Sequence, residues 1–405
     1  MGLQRAFNNP GMGSAHSCLM RNLSSSQFLL SVLLAATATS LLGSSAQAAR
    51  TICEKAFIPR HGFVQVGESK NISQLIRSNS GHYWSFLRTE TDLTDLNPYL
   101  SFQGVVTGDP HLGNFSVVPV KGLNGRRSLE FVDIDFDDAG RAPFALDFAR
   151  LMVAAKAVSE DIKAVDLTDA YISGLRGENR QAPEVIQDAL EMKISEYDRK
   201  TDRYTSKKTD ESRFRYDTGD VTEYTGPVTR EHIQAVFPNA KVLDFASRVK
   251  ERGGSSESLR FWVLVRENGK KRIYELKAWA PSGVSGYRGQ MAPSAWLKDI
   301  NKVLRADLDP DGYTLVNVGN EGLFWLREKK VNLIDVDFNG KSSKEKAFAV
   351  ELALYDAWYV GRLHGSQPNA SKYLAQIEAD KEKFKSAIKA LAKEYLRRAV
   401  DALDN

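Results

Sequence analysis

Two β-rich runs, Arg260 to Glu267 and Lys270 to Trp279, are separated only by Asn268-Gly269. A two-residue hairpin turn needs positive φ at both central positions, which Asn and Gly tolerate best, so this stretch is committed to an antiparallel pair. Alternation along the second strand places Ile273, Glu275 and Lys277 on one face and Tyr274, Leu276 and Ala278 on the other. Lys277 therefore projects from a strand, not a loop. Phe144 to Val158 carries apolar residues at helical spacing, and 347–365 and 373–403 read as amphipathic helices packed on the body. The fold class expected is α+β with C-terminal helices. At 405 residues, 42% hydrophobic and 26% charged, the chain has the length for two or three packed units. Its 55 basic and 51 acidic residues form no block that calls for nucleic acid.

The N-terminus has the pattern of an export signal: Arg21, an apolar run from Phe28 to Leu42, and a small-x-small site at Ala46-Gln47-Ala48. A signal peptide over 1–48, starting at Met1 or Met20 and cut after Ala48, is the expectation. The product would be periplasmic or secreted, with no stable membrane anchor after cleavage. An uncleaved anchor is the alternative, although the run is shorter than the ~20 apolar residues a spanning helix needs. Cys18 would leave with the signal, and Cys53 alone permits no intrachain disulfide. The 6 histidines show no zinc-ligand spacing.

Between these ends, Thr51 to Leu100 reads as helix and loop. Ser101 to Val106 is a short apolar run that feeds Gly108-Asp109-Pro110-His111-Leu112-Gly113-Asn114. Phe115 to Val120 and Leu129 to Phe136 look like strands joined by a turn-rich segment. Tyr197 to Asp220 is crowded with polar residues and reads as a flexible surface segment in preference to a substrate loop. Extended backbone through Asp133-Ile134-Asp135-Phe136-Asp137 would set three carboxylates on one face, where they repel unless a cation, Arg or Lys sits among them. Mg²⁺ suits such hard oxygen ligands; a solvated acidic strand end is the bland alternative. Upstream, Asp109 and Asn114 are spaced like the Asp and Asn of a kinase catalytic loop, where the first orients an attacking hydroxyl and the second holds a metal. Gly108 and Gly113 allow close backbone approach, and Pro110 stiffens the turn. His111 reads equally as a hydrogen-bonded structural residue. Leu333 to Gly340 repeats the acidic pattern, as a hinge-side strand or a second candidate metal site.

The run Gly108 to Phe115, then Ile134-Asp135-Phe136-Asp137-Asp138-Ala139, then Pro143-Phe144-Ala145-Leu146-Asp147-Phe148-Ala149, resembles the core of aminoglycoside and choline phosphotransferases and their protein-kinase relatives. The lysine strand comes after the catalytic loop here, an order similar to that of the bacterial family called domain of unknown function 2252, whose members look like circularly permuted kinases. Permutation is tolerated where termini lie close together on the surface. The resemblance implies a two-lobed kinase-like fold with a catalytic-loop region over 49–240, a nucleotide-lobe-like β region over 241–345 and a helical region over 346–405. It implies Asp109 as base, Asn114 and Asp135 as metal ligands with Asp137 beside them, and Lys277 as the phosphate-binding lysine. Gly253, Gly254 and Ser255 would line the nucleotide, and the cofactors would be Mg²⁺ and ATP. The acceptor, a small molecule or a protein, is not specified, and phosphoryl and nucleotidyl transfer share this layout. Two features depart from the pattern. The glycine loop continues Ser256-Glu257-Ser258 with no later glycine, and 278–306 contains no glutamate to pair with Lys277, Asp299 being the nearest acid. A non-catalytic ligand- or partner-binding protein on the same scaffold is the competing expectation.

Overall fold

The computed structural model describes residues 71–122, 125–135, 137–248, 259–288, 303, 314–334 and 342–404. The export signal, Gly253-Gly254-Ser255, Asp299 and the acidic run from Asp335 to Gly340 lie outside the described residues. The fold is mixed α+β with C-terminal helices. Among the described residues no helix is long and apolar enough to cross a membrane.

The chain enters on α1 (Ile72–Ser78) and α2 (Ser80–Thr89). Asn71 caps α1 by accepting from Ser73 N at 2.8 Å. Four short strands follow: β1 (Gln103–Val106), β2 (Phe115–Lys121), β3 (Arg127–Asp133) and β4 (Gly140–Pro143). β2 pairs with β3 and β1 with β4, both antiparallel. Helix α3 (Phe144–Val158) spans the residues its periodicity predicts and is buried on nearly every side. It packs among α1 and two later helices, α8 (Ser343–Gly365) and α10 (Lys381–Asp404). Between them run α4 (Ala164–Leu175), α5 (Glu184–Glu191), α6 (Ile194–Lys208) and the short α7 (Arg230–Val236), with α9 (Ala370–Ala379) preceding α10.

Helix α8 starts on a capping box in which Ser342 and Glu345 satisfy each other's backbone N–H. It lies against α4 with backbones in contact: a Cβ on Gly361 would fall on the Tyr171 carbonyl oxygen, and one on Gly174 on that of Trp358. Gly361→Ala is therefore expected to lower the unfolding free energy by about 1–3 kcal/mol, the usual range for overpacking. An unchanged urea midpoint would show instead that the two helices can move apart freely.

The second half of the fold is a six-stranded antiparallel sheet ordered β5-β6-β7-β8-β10-β9. Its strands are β5 (Val221–Thr222), β6 (Lys241–Arg248), β7 (Arg260–Glu267), β8 (Lys270–Ala278), β9 (Thr314–Asn317) and β10 (Leu323–Glu328). The β7–β8 turn sits at Asn268 and Gly269, with φ of 48° and 79°. One face carries the apolar side chains Phe261, Leu276 and Phe324, and Phe237 at the end of α7 packs on Tyr274 with ring centroids 5.1 Å apart. The opposite face carries Arg260, Trp262, Glu275, Lys277, Trp325 and Arg327 in adjoining registers.

Two expectations are corrected. Tyr197 to Lys208 is helical within α6, because Tyr197 and Thr205 form a sparse buried stripe beneath an otherwise polar surface. Tyr197 donates from its hydroxyl to Val331 O at 2.8 Å, which anchors the helix. The acidic strand also ends sooner than its pattern predicts. β3 stops at Asp133, and Asp137 and Asp138 lie in a turn, so the three carboxylates do not share one extended face. Asp133 Oδ1 accepts the Asp135 N–H at 3.0 Å, a local bond that bends the chain out of the ladder.

Candidate functional site

Gly108, with φ of 81°, opens the loop that carries Asp109 and Asn114. A side chain there would collide with the Asp138 carbonyl oxygen, so glycine is what lets the loop lie on the acidic turn. Asp147, in the first turn of α3, accepts from Gly108 N at 2.8 Å and from Thr107 N at 3.2 Å. The Gly108 carbonyl takes donations from Trp84 Nε1 at 2.6 Å and Ser80 Oγ at 3.2 Å. Inside the loop, Asn114 Nδ2 donates to Asp109 O at 2.9 Å, and Asn114 O accepts Ile134 N at 2.8 Å. His111 Nδ1 accepts Gly113 N at 3.0 Å, while its Nε2 lies 3.7 Å from Asp109 Oδ2. This histidine therefore both shapes the loop and faces the candidate base.

Asp109 is buried and paired. Arg150, fully buried on α3, donates to Asp109 Oδ1 from Nη2 at 2.7 Å and from Nε at 3.2 Å, and to Ile76 O at 2.7 Å. Burial raises the Asp109 pKa, and the Arg150 charge opposes the shift without cancelling it. Oδ2 is the oxygen that Arg150 does not use. Arg77, in the last turn of α1, packs against Gly113, where a Cβ would meet its Nη2 at 3.2 Å. Burial lowers the Arg77 pKa, against the fields of Asp109 and Asp135.

The acidic turn meets the polar face of the sheet. Lys277 Nζ makes an ion pair with Asp137 Oδ2, although the two residues are 140 positions apart. Arg327 donates from Nη1 to Asp135 Oδ1 at 3.2 Å and to Ile134 O at 3.1 Å. Asp138 Oδ1 accepts Gly283 N at 2.7 Å, from the segment just after the lysine strand. Behind this contact, Glu275 gathers Arg327 Nη2 at 2.6 Å and Arg260 Nη1 at 3.1 Å. Lys277 is thus not left unpaired for want of a glutamate after it. Its acid is Asp137, and the glutamate of the strand, Glu275, serves two arginines. Burial pushes the Asp137 carboxyl up to about 7, with Lys277 opposing and Asp135 adding to the rise. Asp138 is pushed up to about 6, by burial first and then by Asp109. Burial acts upward on Asp135 too, but Arg327 and then Lys277 outweigh it and hold its carboxyl well below the usual range.

The structure therefore brings Asp109, Asn114, Asp135, Asp137 and Lys277 into one region. Among the described residues no group of three or more His, Cys, Asp or Glu side chains is arranged to hold a metal ion. Mg²⁺ commonly takes only one or two carboxylates, together with substrate phosphates and water. Asp135 and Asp137 would supply them once their present partners turn away. Comparison with family models, curated proteins and solved structures finds no match.

Asp138 and Asp147 stand within the resembling runs without an assigned role, and sequence reasoning gives none to Arg150 or Arg327. Asp147 and Arg150 had a visible signal: two charged residues inside a run whose every side is apolar must find partners where it is buried. Arg327 had none, since its role depends on strand pairing between Arg327 and Glu275 across β10 and β8.

Proposed function

We propose that the protein is a kinase-like phosphotransferase acting on a hydroxyl acceptor with a Mg²⁺-bound nucleotide, ATP being the expected donor. The observation that carries this reading is the meeting of Lys277 with the Asp135–Asp138 turn beside the Asp109 loop. A strand lysine, an acidic turn and an Asp-to-Asn loop are the parts that phosphoryl transfer uses for positioning and charge neutralisation. The resemblance of the three sequence runs to phosphotransferase cores points the same way and adds the permuted two-lobed arrangement to the proposal. Mg²⁺, when bound, would neutralise phosphate charge between Asp135 and Asp137. Lys277 would swing from Asp137 to the phosphates. Asp109, fixed through Oδ1 by Arg150, would accept the acceptor's hydroxyl proton on Oδ2.

Two ion pairs must open for this chemistry, and that observation favours a second reading. With Asp137 held by Lys277 and Asp135 by Arg327, the site is already neutralised from within, as a binding scaffold without catalysis would be. Thermal shift with millimolar ATP and Mg²⁺ separates the two. A metal-dependent rise in Tm that disappears in Asp135→Asn and Lys277→Ala is expected, because a ligand that binds only the folded state stabilises it. No shift in the wild type would leave the binding reading. ATP labelled at the α- or the γ-phosphate then distinguishes nucleotidyl from phosphoryl transfer by which label reaches the acceptor.

A further inference from the structure

The C-terminal end of α8 reaches back to the Asp109 loop through two side chains that the proposed chemistry leaves unused. Gln367, just past the helix, treats β1 as a neighbouring strand would. Its Nε2 donates to Val105 O at 2.8 Å and its Oε1 accepts Val105 N at 2.8 Å. A Cβ at residue 104 would fall on that Oε1, so Gly104 is what admits the amide. The other edge of β1 is taken by β4.

One turn earlier on α8, His364 is fully buried, with Nε2 3.1 Å from Asp147 Oδ2. Its Nδ1 lies 2.7 Å from the Tyr171 hydroxyl, and the Phe144 ring stacks on the imidazole at 4.7 Å. Asp147 is the carboxylate that accepts from Thr107 N, Thr107 Oγ1 and Gly108 N. A carboxylate shared among several donors keeps its orientation only if each donor is held, and His364 meets the same Oδ2 that Thr107 uses. The backbone from Val105 to Gly108 is therefore fastened to α8 twice, directly by Gln367 and through Asp147 by His364.

We propose that His364 and Gln367 are positioning residues for the Asp109 loop, so that the seating of α8 sets where Asp109 stands relative to the acidic turn. The geometric claim is independent of what the site transfers. Its catalytic consequence rests on the phosphotransferase reading.

Amide hydrogen exchange in the full chain, comparing peptides over 103–110 and 260–278, tests the geometry. His364→Phe and Gln367→Leu are expected to speed exchange in 103–110 by about tenfold, as loss of a buried hydrogen bond does, and to leave the lysine hairpin unchanged. His364→Gln, whose amide can still donate to Asp147, should restore most of the protection. Unchanged exchange in 103–110, equal acceleration in both peptides, or a Gln variant no better than Phe would each overturn the proposal. In the same variants the Mg²⁺-ATP thermal shift should persist, while transfer falls about tenfold or more in His364→Phe and recovers in His364→Gln, since misplacing a reacting group by an ångström costs rate before it costs binding. A fall in nucleotide binding that matches the fall in transfer also counts against it. If the wild type shows no nucleotide shift at all, the phosphotransferase reading fails, and the exchange pattern still decides whether His364 and Gln367 hold the loop.

Discussion

Arg150→Met should lower the stability of the protein by about 3–5 kcal/mol, the range seen when one partner of a buried ion pair is removed. The reason lies in Asp109, only 7% exposed, whose Oδ1 accepts from both Nε and Nη2 of Arg150. Methionine fills much of the same volume, so the loss comes from a carboxylate stranded out of water and not from a cavity. Asp109→Asn alone strands the guanidinium instead, whereas the double variant Arg150→Met with Asp109→Asn removes both charges and should recover a large part of the loss. Urea denaturation of the four proteins closes the cycle. Additive losses in the double variant would mean that the two side chains stabilise the fold separately, and the assignment of Asp109 as a base pinned through Oδ1 would lose its support.

The second large effect is on pH. Asp137 and Asp138 have folded-state pKa values raised to about 7 and about 6, against roughly 3.9 for an unfolded aspartate. A raised acid binds protons more tightly in the folded state, so its contribution is complete below about pH 4 and is lost as pH climbs through the folded values. Asp135 and Glu275 are held low and act in the opposite sense: their contribution is present above the unfolded carboxylate range and is lost in acid. His82, whose pKa burial lowers to about 4, acts against the two raised carboxyls in this window, but they outnumber it. Tm should therefore fall between pH 5 and pH 8, and Asp137→Asn should flatten that fall. Millimolar Mg²⁺ should raise Tm more at pH 8 than at pH 5, because a cation competes with the protons on the same carboxylates. A wild-type Tm that rises steadily from pH 5 to pH 8, matched by the variant, would refute this account of the turn.

Much of the framework was legible because it is local. Asn268-Gly269 dictates its own turn, Phe144 to Val158 its own helix, and the pairing of Phe115 to Lys121 with Arg127 to Asp133 follows from two strand-like runs around a short turn. The site was legible as a set of residue types and opaque as a geometry. Alternation in Asp133-Ile134-Asp135-Phe136-Asp137 pointed to one extended face, but a single bond from Asp133 Oδ1 to the Asp135 amide was enough to end the strand. The partner of Lys277 was sought downstream and stands 140 positions upstream. No period or spacing reports a pairing across that distance; it exists only once the sheet is laid against the turn.

That separation has a consequence for how the chain comes into being. Asp137 is synthesised 140 residues before Lys277, which at ribosomal speeds of about 5–20 residues per second leaves the acidic turn without its counter-charges for roughly 7–28 s. Arg327 emerges later still. Until then the half-buried carboxylates of the turn repel one another without the two cations that pair with them in the finished protein. The hairpin that carries Lys277 needs only its own neighbours and can form as it appears. A chain cut between residues 240 and 241 would therefore give two unequal pieces: a C-terminal fragment that owns its hairpin turn, and an N-terminal fragment whose acidic turn keeps its local bonds but has lost Lys277 and Arg327.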